Sequence, residues 1–238
     1  PPARPDLTTP PPPPSTMPRP SPLQSSLLLA ALLGAAAMAE PVAQQPHGLV
    51  PLDSVQPPVL PEVRYATRHN FTGEALYPFP RLWIHRDAAA ALERVQRELQ
   101  ESGLGLKVYD AYRPFSVQRK MWDLVRDERY VSNPAKNRGR HTRGTAVDVT
   151  LIDPAGRELP MPSDFDDFSE KAHRAYQGGT DAEKMNRQLL ESVMARHGFV
   201  PYPDEWWHFD LEGWENRPVF DISLESLAAG ETAAVPEP

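Results

Sequence analysis

Two short stretches of this sequence hold groups that could do chemistry together. The first is Arg140-His141-Thr142-Arg143-Gly144-Thr145-Ala146-Val147-Asp148-Val149-Thr150, and the second is Glu205-Trp206-Trp207-His208-Phe209-Asp210. Between them they supply two imidazoles, an aspartate and a spare glutamate. His141, Asp148 and His208 would give two nitrogens and one oxygen, and a catalytic zinc takes three such ligands while keeping one position for water. The first stretch reads as a strand in which Ala146, Asp148 and Thr150 share one face and Val147, Val149 and Leu151 share the other. The valine face wants a core, which turns Asp148 toward a cleft. Gly144 lets the preceding loop fold His141 back beside it. Neither spacing is specific alone. A histidine among tryptophans is commonly a satisfied core residue, and a strand-end aspartate commonly caps a backbone amide, so both readings stay open on spacing.

Glu205 poses a geometric question. In one regular strand Glu205 and His208 would face opposite ways. Both can approach one metal only if the chain bends near Trp206 or if Glu205 sits in the preceding loop, for which Pro201, Pro203 and Asp204 argue. There Glu205 would touch the metal's water rather than the metal and serve as general base. The alternative is a glutamate on the rim. Amide hydrolysis also needs a positive donor for its oxyanion. Arg113, in Tyr112-Arg113-Pro114, suits that task because proline pushes the residue before it toward an extended conformation. A surface arginine paired with an aspartate is the alternative there.

The elements that must carry these groups can be read along the chain. Residues 1–16 are mostly proline and small polar residues, with no packed structure expected. Met17 to Ala39 reads as a signal peptide, with Arg19 ahead of an apolar run and Ala37-Met38-Ala39 as cleavage site. On that reading Met17 is the start, 1–16 is upstream sequence, and the mature protein is periplasmic or secreted without a membrane anchor. Residues 40–61 form a proline-rich leader, expected to be extended. The domain is expected over 62–222, with 223–238 a loose tail. Within it, Asp87 is expected to N-cap a helix with the stripe Ala88, Ala91, Leu92, Val95 and Leu99. A strand at Leu106–Asp110 follows, then a helix over 116–126 with Val117, Met121, Leu124 and Val125 inward. Thr180-Asp181-Ala182-Glu183 is a capping box opening a helix striped by Met185, Leu189, Val193 and Met194.

With 238 residues, 29 prolines and a formal net charge of −7, the chain has no basic excess to recruit nucleic acid. It has no cysteine, so any metal must rely on histidine, carboxylate and water. About 180 residues between the ends suffice for one well-buried core.

Read as a set, the motifs resemble the D-alanyl-D-alanine dipeptidases, zinc metallopeptidases of the VanX type. The resemblance runs from Arg64 to His208. It takes in Tyr65-Ala66-Thr67, Asn70-Phe71-Thr72-Gly73, Asp110-Ala111-Tyr112-Arg113-Pro114, His141 through Asp148, Phe165-Asp166 and Glu205-Trp206-Trp207-His208. It implies one Zn2+ per chain on His141, Asp148 and His208, Glu205 as base, Arg113 as transition-state stabiliser, and Tyr65 and Asp166 holding the substrate, with Asp166 the partner of its free ammonium. Asp164 and Asp167 flank Asp166 and compete for that role. The implied fold is α+β: an antiparallel sheet with surrounding helices and the zinc cleft on the sheet, the peptidase and hedgehog-like fold. The implied reaction is cleavage of the D-Ala-D-Ala dipeptide to two D-alanines. Two alternatives stand beside it: a D,D-carboxypeptidase acting on wall peptides, and a non-catalytic zinc module that binds them. One position departs from the family, Gly139, where a serine is usual, and this leaves dipeptide specificity open.

Overall fold

The fold is a five-stranded sheet in the spatial order Leu60–Pro61, Gly105–Asp110, Ala146–Ile152, His208–Leu211 and Phe199–Pro201, with the central strand buried on both faces. The computed structural model describes residues 47–128, 131–136 and 138–230. The stretch 1–16, the segment 17–39 expected to be a signal peptide, the first residues of the leader and the end of the tail lie outside the described residues. In chain order the elements are β1 (Leu49–Pro51), β2 (Leu60–Pro61), β3 (Trp83–His85), α1 (Arg86–Glu101), β4 (Gly105–Asp110), α2 (Phe115–Val125), β5 (Ala146–Ile152), α3 (Asp181–Arg196), β6 (Phe199–Pro201), β7 (His208–Leu211) and α4 (Leu224–Ala229). The class is α+β, as expected, and the sheet is antiparallel except at its edge, where β2 runs parallel to β4. β1 and β3 form a separate antiparallel pair. Among the described residues, no helix is long and apolar enough to cross a membrane.

The alternation in β5 does what the residue types dictate. Val147, Val149 and Leu151 lie in the core with the α1 stripe Ala88, Ala91, Leu92, Val95 and Leu99, and with Leu190, Val193 and Met194 of α3. Burying each large aliphatic contributes about 1.5–3 kcal/mol. The other face of β5 is buried too, beneath polar groups.

Several expectations are corrected. The described part of the leader, 47–61, packs into the domain instead of preceding it: Leu49, Leu52 and Val55 are buried, β1 pairs with β3, and β2 pairs with β4. The apolar residues between the prolines supply that packing. Residues 223–230, expected in a loose tail, are likewise packed: Ser223 caps α4, Leu224 is buried, and just before them the Tyr112 hydroxyl both donates to and accepts from the backbone of Ile222. His85, not Asp87, caps α1: its Nδ1 accepts from the Asp87 amide. In α3, Met185 and Leu189 are exposed, and the inward face is Arg187, Leu190, Val193 and Met194. Arg187 tolerates burial because its guanidinium donates to the carbonyls of His173 and Tyr176, which a search for an apolar stripe cannot anticipate. Leu124 of α2 is also exposed, while Met121 is buried.

Candidate metal centre

The sheet register builds the site. Asp148 of β5 stands opposite His208 of β7, and Asp110 of β4 stands opposite Asp148 on its other side. Directly opposed residues point to the same face, so three polar side chains form a row across three strands. A register irregularity between Val108 and Asp110 sits at the end of β4, next to the row, as bulges often do beside functional sites. His141 arrives from the loop before β5, where Gly144 takes φ +68 at the end of a single helical turn. A side chain at that glycine would meet Leu49 Cδ2 at 2.5 Å, so the fold-back toward Asp148 depends on it.

His141, Asp148 and His208 converge, each buried. His141 Nε2 is 3.2 Å from His208 Nδ1 and 3.4 Å from Asp148 Oδ2, and His208 Nδ1 is 3.0 Å from Asp148 Oδ1. A tetrahedral centre with bonds of about 2.0–2.1 Å has edges of roughly 3.3 Å. The three donors, one atom from each within 4.8 Å of the others, are close enough to share one divalent ion. Hydrogen bonds at the far side of each ring complete the fit. His141 Nδ1 is 2.8 Å from the Ala111 carbonyl, and His208 Nε2 is 3.2 Å from Asp210 Oδ1. Each imidazole then carries its proton away from the shared corner. Burial lowers the basicity of His208, but Asp210 and Asp148 more than reverse this and push it up to about 10. Burial opposes the charge of Asp148, and His141 and His208 hold its carboxyl well below the usual range.

Glu205 sits in the loop before β7, as its proline-rich approach suggested, with its carbonyl accepting from the His208 amide. Its Oε2 is 3.7 Å from His208 Nδ1, and it is not one of the three grouped donors. Burial, helped by Asp148, pushes its carboxyl up to about 6 against the pull of His208, His141 and Arg113. Arg113 lines the same cleft. Its Nε and Nη2 donate to Asp110 Oδ2 at 3.1 and 2.7 Å, and Nη1 donates to Gln118 at 2.8 Å. Burial works against this cation, yet Asp110 holds it firmly charged. Asp110 also accepts from the Tyr77 hydroxyl and the Ala111 amide, so one carboxylate orients the arginine and the chain segment that anchors His141.

Tyr65 and Asp166 lie on the same cleft. The Tyr65 hydroxyl donates to both carboxylate oxygens of Asp166 at 3.2 and 3.1 Å. Asp166, rather than Asp164 or Asp167, faces inward here, and it holds a left-handed backbone at φ +61. Burial, with Asp148 and Glu205 nearby, pushes its carboxyl well above the usual range. A half-buried carboxyl facing other carboxylates suits a cation. The cleft encloses about 50 Å³, well below the 300–1,000 Å³ of pockets for drug-sized ligands, so it suits a small polar molecule. Sequence reasoning missed the parts played by Asp110 and Asp210. Asp210 carried a readable signal, since it lies two residues from His208 on the same strand face.

Comparison with known proteins shows the family. A family model described as D-ala-D-ala dipeptidase matches residues 45–222. The D-alanyl-D-alanine dipeptidase of Escherichia coli is 40% identical over 171 residues, covering 72% of this chain and 88% of that protein. The enzyme of the same name from Enterococcus faecalis is 31% identical over 185 residues, covering 69% of this chain and 92% of that one. Among solved structures, the LdcB LD-carboxypeptidase aligns with TM-score 0.42 at 19% identity, over 74% of this chain and 73% of that one. VanYB in complex with D-alanine-D-alanine aligns at 0.39 and 16%, over 63% and 80%. With the family model spanning most of its length and these two dipeptidases above 30% identity, the chain belongs to the D-Ala-D-Ala dipeptidase family of peptidases.

Proposed function

We propose that the protein is an exported zinc-dependent dipeptidase that hydrolyses D-Ala-D-Ala to two D-alanines. The observation that carries this reading is the donor trio at 3.0–3.4 Å with an unshared carboxylate, Glu205, 3.7 Å from one donor. The zinc would be held by His141, Asp148 and His208, one ion per chain, and when bound it would polarise the scissile carbonyl and acidify a water.

The chain's own groups account for the rest. Asp166 Oδ1 and Oδ2, steadied by Tyr65, would receive the free ammonium of the dipeptide. Glu205 Oε2 would take the proton of the attacking water as its oxygen adds to the carbonyl carbon, then return that proton to the amine nitrogen as the C–N bond breaks. A carboxylate raised to about 6 is well matched to both directions of transfer near neutral pH. Arg113 would stabilise the oxyanion, and Asp110 and Gln118 fix its fork so that little reorganisation is needed. Export rests on the signal-like residues 17–39 and suits scavenging of wall-derived dipeptides.

The main rival is a D,D-carboxypeptidase acting on wall peptides, whose reacting residue has no free amine. The zinc-loaded chain should be offered D-Ala-D-Ala and a muramyl pentapeptide at equal concentration. D-alanine should appear from the dipeptide, and release from the pentapeptide alone would overturn the assignment.

A further inference from the structure

We infer that Asp210, pinned by Arg140, is a positioning residue that holds His208 with Nδ1 turned to the metal. This rests on the zinc reading above.

The two imidazoles of the site are anchored differently. His141 presents Nε2 to the shared corner and gives its other nitrogen to a backbone carbonyl. His208 is reversed: Nδ1 faces Asp148, and Nε2 faces the Asp210 carboxylate at 3.2 Å. Its protonation at Nε2 is therefore set by a side chain and can be removed by mutation. A carboxylate that is only 2% exposed is costly to bury without a cation. Arg140 supplies that cation through a short ion pair with the second Asp210 oxygen. The guanidinium is itself held, 4.5 Å from the ring centroids of both Tyr202 and Trp214. Arg140 immediately precedes His141 in the chain, and Asp210 shares its strand with His208. The Arg140–Asp210 pair thus ties together the two segments that deliver the histidine donors, and Arg140 joins His208 in compensating the buried carboxylate.

The test compares wild type, Asp210→Asn, Arg140→Met and the double variant as full chains. Zinc affinity is read by competition with a chromophoric chelator, and the tautomer of His208 by 15N NMR of the zinc-loaded protein. Asp210→Asn should weaken zinc 10–100-fold, the usual scale for a partner behind a metal-bound histidine. Arg140→Met should weaken it by less, and the double variant should match Asp210→Asn alone, since Arg140 acts through Asp210. Asp210→Glu should recover part of the loss, which a purely structural role would not require. If Asp210→Asn destabilises the strand, Arg140→Met tests the same pair from the loop. Wild type that binds zinc, beside folded variants that bind it equally well with the same His208 tautomer, overturns this inference alone. Additive losses in the double variant overturn the role of Arg140. Wild type that takes up no zinc overturns the proposed function as well.

Discussion

Replacing Glu205 by glutamine should move activity and stability in opposite directions. The side chain keeps its shape, so the loop before β7 need not rearrange. Glu205 lies outside the donor trio, so zinc content should stay at the wild-type level. Removing a general base costs about 10²–10⁴ in rate, or roughly 2.7–5.5 kcal/mol of barrier at about 1.36 kcal/mol per factor of ten. The stability term has the other sign. In the metal-free chain burial raises this carboxyl from 4.5 to about 6. A raised carboxylate costs stability once the pH exceeds both values, here about 2 kcal/mol at pH 7. Glutamine removes the charge and with it that cost. Metal-free Glu205→Gln should therefore unfold about 1–2 kcal/mol later in urea at pH 7, with the gain shrinking as pH falls toward 4.5. Dipeptide turnover by the zinc-loaded variant should fall at least 100-fold. Wild-type turnover would remove Glu205 from the mechanism, and a variant less stable than wild type at pH 7 would refute the claim that its charge is held at a cost.

His208→Ala should abolish stoichiometric zinc binding, measured by metal analysis after dialysis; full occupancy would dismiss the ligand set. Asp166→Asn isolates charge from backbone, because asparagine accepts a left-handed conformation well. It should cost about 2–5 kcal/mol in kcat/KM for the free dipeptide, roughly 30-fold or more. An N-acetyl dipeptide should be a poor substrate for wild type and no worse for the variant, and equal losses on both would refute ammonium recognition. A last prediction concerns Glu62, whose carboxyl burial tends to raise but which Lys107 and Arg64 hold below 4.5. Its stabilising contribution is present above pH 4.5 and lost as pH falls below it. Glu62→Gln should flatten the acid limb of the melting temperature between pH 4.5 and 3, and parallel limbs would show that the pairing adds nothing.

What could be read from the residues alone followed from local pattern. The α1 stripe, the valine face of β5 and the loop position of Glu205 all come from short-range periodicity or proline chemistry. What could not be read was set by register between distant segments. Asp148 meets His208 across 60 positions of sequence; residue type and the family resemblance grouped the two, but no local pattern encodes the strand register that brings them opposite each other. Asp110 is similar: its role depends on β4 lying beside β5 and on Tyr77 and Arg113 arriving from separate segments. The packing of residues 49–55 was hidden because prolines dominate the surrounding composition. The inward face of α3 was hidden because a paired arginine occupies one of its core positions.

The row of Asp110, Asp148 and His208 has a consequence for how such a protein can diversify. Because neighbouring side chains on a strand alternate sides, shifting any one of these three strands by a single position would swing its polar group into the interior and bring an apolar or aromatic neighbour to its place in the row. Chemistry and folding would then fail together, so the three strands form an indivisible module. Room for new substrate preferences lies instead in connecting segments beside the cleft, 131–136 and 163–169, where length and side chains can drift without disturbing the strand alignment.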